Sequence, residues 1–229
     1  MKLKSILLNA AGFLLAGSVA QAAPINYTFT FDGVPNGTAV NTIPQPAVVG
    51  TSFYNAIYTP NLDAFGDPIA GTEKWRIDTD PTTPAVTAEN PSLYARGAAP
   101  SPTNALQALF QPVIVTFAQP INLTGSGFSG VLDNDTFGSN GFLAGFSDIA
   151  VKIYDTNNTL LQSVPIDQTT PGFAFTNPTA LANVSYVVLP AGAFYDNLAI
   201  VGNSVPEPAS FGLLLLPAMV VLRRRARKN

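Results

Sequence analysis

The sequence predicts an all-β protein, an antiparallel β-sandwich of jelly-roll type flanked by an N-terminal signal helix and a short C-terminal transmembrane helix. Three observations lead there. The chain between the two apolar ends is rich in Thr, Val, Ile, Phe, Tyr, Asn, Gly and Pro, the residues of pleated strands and of the turns between them. No apolar stripe with the 3.6-residue helical period runs through it. Short apolar stretches recur instead, punctuated by Gly, Pro, Asn and Asp, as antiparallel strands in a two-sheet fold require.

Taken in order, Met1 to Ala22 carries Lys2 and Lys4, an apolar core from Ile6 to Val19, and Ala20-Gln21-Ala22 as a small-x-small cleavage site. That is the layout of a secretory signal peptide, to be removed after Ala22 by signal peptidase following passage through the Sec translocon. The stretch 23–204 is then roughly 180 residues long, one domain's worth of chain and enough to bury a core.

The first strand is expected at Ile25 to Phe31, where Ile25, Tyr27, Phe29 and Phe31 alternate with Asn26, Thr28 and Thr30. Further strands are expected at Ser52 to Tyr58, Trp75 to Asp78, Ser92 to Ala95, Leu106 to Phe110, Val113 to Phe117 and Gly127 to Leu132. The series continues with Ile149 to Asp155, Leu160 to Val164, Gly172 to Phe175, Val184 to Leu189 and Phe194 to Val201. Asp155-Thr156-Asn157-Asn158 reads as a hairpin loop, because Asp and Asn accept bonds from nearby backbone amides and tolerate left-handed backbone. Between Asn61 and Pro102 the prolines crowd, which predicts long surface loops.

Charge narrows the partners. Residues 23–204 hold four Lys and Arg against thirteen Asp and Glu, a net of −9. Such a surface repels phosphate backbones, so a nucleic-acid partner is not expected. The chain contains neither His nor Cys, which excludes Ser-His-Asp and Cys-His nucleophilic systems, the usual zinc ligand sets and disulfides. A carboxylate pair of the glycosidase type is the remaining route to catalysis, but no acid lies in a recognisable motif, and the expectation is a non-enzymatic domain.

Oxygen ligands for a hard cation fit the composition better. In the strand Phe194 to Val201, period-two alternation puts Phe194, Asp196, Leu198 and Ile200 on one face, aiming Asp196 inward, and a buried carboxylate needs a cation or several donors. Asp32 ends the first strand. The end pieces FTFDG and FYDNLAI look similar to the paired first and last strands of jelly-roll carbohydrate-binding modules, and it is that resemblance which implies a Ca²⁺ there, with Asp32, Asp196 and Asn197 as the candidate metal ligands. Asp133 to Gly138 matches a calcium loop only in part and reads better as a polar hairpin. Trp75, Tyr54, Tyr58 and Tyr94 are candidates for stacking on sugar rings, against the commoner use of aromatics as core. Six Asn-x-Ser/Thr sequons, Asn36 and Asn122 among them, follow from an Asn- and Thr-rich chain.

The last stretch, 205–229, has three parts in fixed order: Pro206-Glu207-Pro208, an apolar run and a basic end. Phe211, Leu213, Leu214, Leu215, Leu216, Val220, Val221 and Leu222 carry the apolar run. Its twelve residues would rise about 18 Å as a helix, short of the roughly 30 Å hydrocarbon core, and Pro217 interrupts it. Arg223, Arg224, Arg225, Arg227 and Lys228 follow as the basic stop expected of a cytoplasmic end. This tripartite order resembles the PEP-CTERM sorting signal of exported proteins in Gram-negative bacteria. The resemblance implies recognition of Pro206, Glu207 and Pro208 by an exosortase, transient anchoring in the inner membrane, and a final place on the cell surface or in the extracellular matrix. It also implies a structural or glycan-binding role beside exopolysaccharide, as in biofilms; the alternative is a secreted carboxylate-dependent glycoside hydrolase.

Overall fold

The structure, a computed structural model, describes residues 22–43, 50–59, 61–67, 69, 75–80, 82–90, 104–108, 111–125, 127–132, 150–166, 172–176 and 179–205. The expected signal peptide to residue 21, the sorting tail from Pro206, the loop Asp133–Gly138, the strand at 92–95 and Tyr94 lie outside them. Contacts group Pro24–Ser204 into one compact unit, described below. Among the described residues no helix is long and apolar enough to cross a membrane.

The unit is all-β and antiparallel. Its strands are β1 (Pro24–Phe29), β2 (Thr38–Ala39), β3 (Ser52–Tyr58), β4 (Trp75–Ile77), β5 (Thr87–Glu89), β6 (Ala105–Ala108) and β7 (Val113–Leu123). They are followed by β8 (Gly127–Leu132), β9 (Ala150–Asp155), β10 (Leu160–Pro165), β11 (Gly172–Thr176), β12 (Leu181–Leu189) and β13 (Ala193–Ser204). One 3₁₀ turn, Val40–Thr42, follows β2. The strands join in the order β10-β9-β12-β7-β13-β6-β5-β2, with β1 and β8 also on β13, β11 outside β8, and β3 and β4 branching from β7.

Two strands hold this order together by serving two neighbours on one side. The first part of β7 pairs with β3, from Ser52↔Thr116 to Asn55↔Val113, whereas its last residues pair with the end of β13, Leu123 opposite Gly202. Between them Phe117 to Pro120 loops out of the β12 ladder, whose register jumps from Tyr186↔Thr116 to Val184↔Ile121. Pro120 has no amide proton to give a ladder, so a strand containing it breaks register there. On β13, β6 takes Ala193 to Tyr195 and β1 takes Leu198 to Asn203 on one side, while β8 and the end of β7 share the other. Gly202 makes the β7 approach possible, since a Cβ there would overlap the Asn122 carbonyl oxygen.

The sheet bends over on itself in a sandwich-like manner. β1 and β3 are separated by β13 and β7 in the strand order, yet the rings of Phe29 and Phe53 meet edge to face at 5.3 Å. Phe31 approaches Phe53 the same way at 6.2 Å. The enclosed core joins Ile25, Phe29, Leu106, Val113, Val115, Val151, Ile153, Val187, Leu189, Leu198 and Ile200, drawn from both ends of the order. Truncating one such residue to Ala costs about 2–5 kcal/mol. Asn41, in the 3₁₀ turn, satisfies the backbone of Phe53 on the side that lacks a strand: its amide donates to the Phe53 carbonyl at 2.6 Å and its Oδ1 accepts from the Phe53 amide at 2.8 Å.

The alternation expected in β1 is present, Ile25, Phe29 and Phe31 buried and Asn26, Thr28 and Thr30 exposed, although the paired strand stops at Phe29. One expected alternation is overturned. Phe194, Asp196, Leu198 and Ile200 do not share a face, because β13 carries a bulge: Asp196 faces Ser129 but Ala199 faces Gly127, leaving one extra residue in β13. Asn197 supplies it, at φ +51°, a left-handed conformation that Asn adopts more readily than other residues with a Cβ. The core-facing set is thus Ala193 and Tyr195 before the bulge, and Leu198 and Ile200 after it. Asn183, at φ +56°, lies in an irregular stretch of β12, where Val184 and Val187 both enter the core.

Candidate functional site

Two places on the unit carry chemistry, and both lie on outer sheet faces. The first is built from β3, β4, β7, β9 and β12. Directly opposed residues of antiparallel strands share a face, so the pairs Tyr54↔Ile114, Ile114↔Val188 and Tyr154↔Tyr186 turn to the side away from Phe53, Val115 and Val187. The result is a second apolar cluster of Ala56, Ile114, Tyr154, Tyr186 and Val188, with Tyr54, Trp75 and Ile77 packed on it.

Its geometry is aromatic on aromatic. Tyr154 and Tyr186 stack at 4.8 Å with an interplanar angle of 14°. Trp75 Nε1 donates to the Tyr154 hydroxyl at 3.1 Å, which ties β4 to β9 across the face. Tyr58 lies against Trp75 at 5.0 Å, tilted by 47°. Tyr154 and Tyr186 are buried, Trp75 and Tyr54 are half-buried, and Tyr58 is 38% exposed at the rim. The Tyr186 hydroxyl donates to Asn158 Oδ1 at 3.1 Å, and burial, assisted by the negative charge of Asp155, pushes its pKa up to about 12. Phe65, 91% exposed, follows β3 on a turn organised by Asp63, whose Oδ1 accepts from the Phe65 amide at 2.8 Å and the Asp67 amide at 2.9 Å. Those amides hold the Asp63 carboxyl below its ordinary range.

Three of the four aromatics singled out in the sequence, Trp75, Tyr54 and Tyr58, thus come together. Tyr154 and Tyr186 were not foreseen. Their signal is local: each is the aromatic out of phase with its core neighbours, Tyr154 beside Ile153 and Tyr186 beside Val187.

The second place is the bulge of β13. Asp196 is fully buried, 0% exposed. Its Oδ2 accepts from Asn197 Nδ2 at 3.3 Å, and among the described residues its Oδ1 meets no hydrogen-bond donor. The same Asn197 amide donates to Ser129 Oγ at 3.2 Å, while Ser129 Oγ donates to the Asp196 carbonyl at 3.3 Å. Asn197 itself is exposed.

Of the expected metal ligands, the structure brings Asp196 and Asn197 together. It sets Asp32, half-buried, in the turn after β1, beyond Phe29, the last residue of β1 to pair with β13. Among the described residues no group of three or more His, Cys, Asp or Glu side chains gathers closely enough to hold a metal. Asp80 and Asp155 are turn acids: Thr82 bonds hold the first carboxyl below its usual value, and chiefly the Thr159 amide does so for the second.

Compared with protein-family models, curated proteins and solved structures, the chain matches none.

Proposed function

We propose that this chain is an exported, non-enzymatic β-domain that presents an aromatic sheet face to the pyranose rings of an extracellular polysaccharide. In this reading the folded-over sheet is a jelly-roll-like sandwich. The Met1–Ala22 signal delivers it through the Sec translocon to signal peptidase. Pro206, Glu207 and Pro208, with the apolar run and basic stop after them, then hand it through the inner membrane to an exosortase of a Gram-negative cell. The product resides on the cell surface or in the matrix, with exopolysaccharide as its partner.

The observation that carries the binding role is the Tyr58–Trp75 pair at the rim of the outer face. Aromatic rings offer flat apolar area at little cost in side-chain freedom, and the apolar C–H face of a sugar is a matching partner. The Trp75 indole is held in place by Tyr154, so little order has to be gained on binding.

Pull-down on insoluble polysaccharide from the producing cell tests this. Trp75→Ala and Tyr58→Ala should each weaken retention by about tenfold, while Thr28→Ala, on the exposed side of β1, leaves it unchanged. Wild-type retention in both aromatic variants would sink the binding face. Release of reducing ends that one Asp or Glu substitution abolishes would establish the hydrolase instead. Sorting is tested by intact mass from cells with and without exosortase: a final product that still holds residues 211–229 in exosortase-containing cells overturns that part.

A further inference from the structure

The bulge in β13 has an oxygen-rich surrounding that the aromatic face does not explain. Buried carboxylate oxygens are hydrogen-bonded almost without exception, because leaving one bare sacrifices its hydration without replacement. Asp196 breaks that rule with Oδ1, at 0% exposure. The polar groups beside it converge at long distances, 3.2 Å from Asn197 Nδ2 to Ser129 Oγ and 3.3 Å from the same atom to Asp196 Oδ2. A half-turn of the Asn197 amide exchanges its nitrogen for Oδ1, which sets a third side-chain oxygen beside Ser129 Oγ and Asp196 Oδ2. The described cations, Arg76 and Lys152, lie on β4 and β9, in the other part of the strand order.

The strand registers put a second acid in the same row. Ser129 faces Asp196 across β8 and β13. Tyr195↔Leu106 is the last paired step between β13 and β6, so Asp196 comes level with Ala105, and Ala105 faces Glu89 on β5. Leu106, Tyr195 and Ala88 point into the core, which turns Ser129, Asp196, Ala105 and Glu89 to the opposite, outer side. Buried Ala105 separates the two acids, and Glu89 turns its Oε1 toward Gly37 on the other side of β5. Glu89 is half-buried.

We propose that Asp196, Asn197 and Ser129 form a binding site for a hard divalent cation, Ca²⁺ in the first place. The site stands on the Asp196 environment alone and is independent of glycan binding. It keeps Asp196 and Asn197 from the expected ligand set and draws its third member from β8 instead of from Asp32. The chemistry favours calcium over magnesium: carboxylate, amide and hydroxyl oxygens from two strands and a bulge make an irregular set, which Ca²⁺ accepts with six to eight ligands and variable angles while Mg²⁺ demands a near-octahedron. Exposed Asn197 gives the ion and its remaining waters a way in.

Equilibrium dialysis of the chelator-stripped full-length chain against CaCl₂, with MgCl₂ in parallel, reads the site directly, and thermal unfolding with and without calcium reads its linkage to folding. One equivalent of calcium should bind and raise the melting temperature. Asp196→Asn should abolish binding. Asn197→Gly, which keeps the left-handed backbone but removes the amide, and Ser129→Ala should each weaken it at least about tenfold, while Glu89→Gln, on the far side of Ala105, should leave it unchanged. Asp196→Asn should also melt no lower than wild type in chelator, reversing the order seen in calcium. The proposal is overturned if the wild type binds no calcium, if Asp196→Asn binds as the wild type does, or if Asn197→Gly and Ser129→Ala both retain full affinity. Those last two decide the matter should Asp196→Asn fail to fold.

Discussion

Asp155 and Asp196 both keep company with a left-handed asparagine, Asn158 at φ +60° and Asn197 at φ +51°, and they resolve their charge in opposite ways. Asp155 ends β9 at a hairpin, where its Oδ1 accepts from the Asn157 amide at 2.7 Å and the Thr159 amide at 2.8 Å. Its own amide donates to the Thr159 carbonyl at 3.1 Å. Oδ1 closes the turn with both amides, and nothing more is needed to account for the carboxylate. Asp196 is deeper, is in the middle of a strand, and has one oxygen unused. An acid that completes a turn is a structural residue; one buried with an oxygen that meets no donor calls for a ligand. Where the backbone amides point decides between the two roles.

The comparison can be broken first at the asparagines. Asn197→Val puts a β-branched residue into left-handed backbone and should destabilise the fold by about 2–3 kcal/mol in urea unfolding. A smaller loss there would mean that β13 can discard its bulge and slide, exchanging the faces of Asp196 and Leu198. Next comes the satisfied acid: Asp155→Ala removes two charge-assisted amide bonds from an exposed turn and should lower the melting temperature at neutral pH by less than Asn197→Val does. The sign with pH is fixed. The folded carboxyl titrates below its ordinary value, so its contribution is present above about pH 4 and disappears as pH falls through the lowered folded value. The stability difference between Asp155→Ala and wild type should therefore close in acid.

The Tyr186 hydroxyl, bonded to the same hairpin, sharpens the contrast at the alkaline end. Its folded pKa of about 12 exceeds the unfolded value near 10, so the stability linked to its neutral form is intact below about pH 10 and falls between there and pH 12. Tyr186→Phe should lose about 0.5–1.5 kcal/mol with the Asn158 bond and show a shallower alkaline decline. Tyr195, whose hydroxyl donates to the Pro190 carbonyl at 2.7 Å and whose pKa is pushed well above 10 by burial, leaves part of the decline in place. The smallest effect is expected at Asp196 without metal: Asp196→Asn in chelator should change stability by less than about 1 kcal/mol, since no hydrogen bond to Oδ1 is lost.

Much of the strand layout could be read from residue order. Ser52–Tyr58 and Gly127–Leu132 come out with their ends in place, because Gly, Pro, Thr and Asn mark their limits and β-branched or aromatic residues fill them. Thr38–Ala39 and Thr87–Glu89 had no such mark. They are two and three residues long, too short for a pattern, and owe their form to their places on the β6 flank. The β13 face went wrong for a definite reason. A period of two read through Asp196-Asn197-Leu198 assumes that no residue is extra, and whether an asparagine is pleated or left-handed depends on the neighbouring strand's register. Asp196 was visible as an acid among apolar residues; Ser129 was not, since only the pairing of β8 with β13 gives a common serine any bearing on it. The outer aromatic face was half visible, through Trp75, Tyr54 and Tyr58, and its tyrosine floor awaited knowledge of which side of β9 and β12 faces the core.

Pro24 lies directly opposite Asn203, so the first and last strands close the unit side by side and its two ends emerge about one strand spacing apart, roughly 5 Å. A tether at either end would grip the same edge and leave the far edges free to meet what surrounds them. The pairing also sets an order in time: β1 is made first but must wait for β13, nearly the whole length of the unit later, before its backbone groups find their partners.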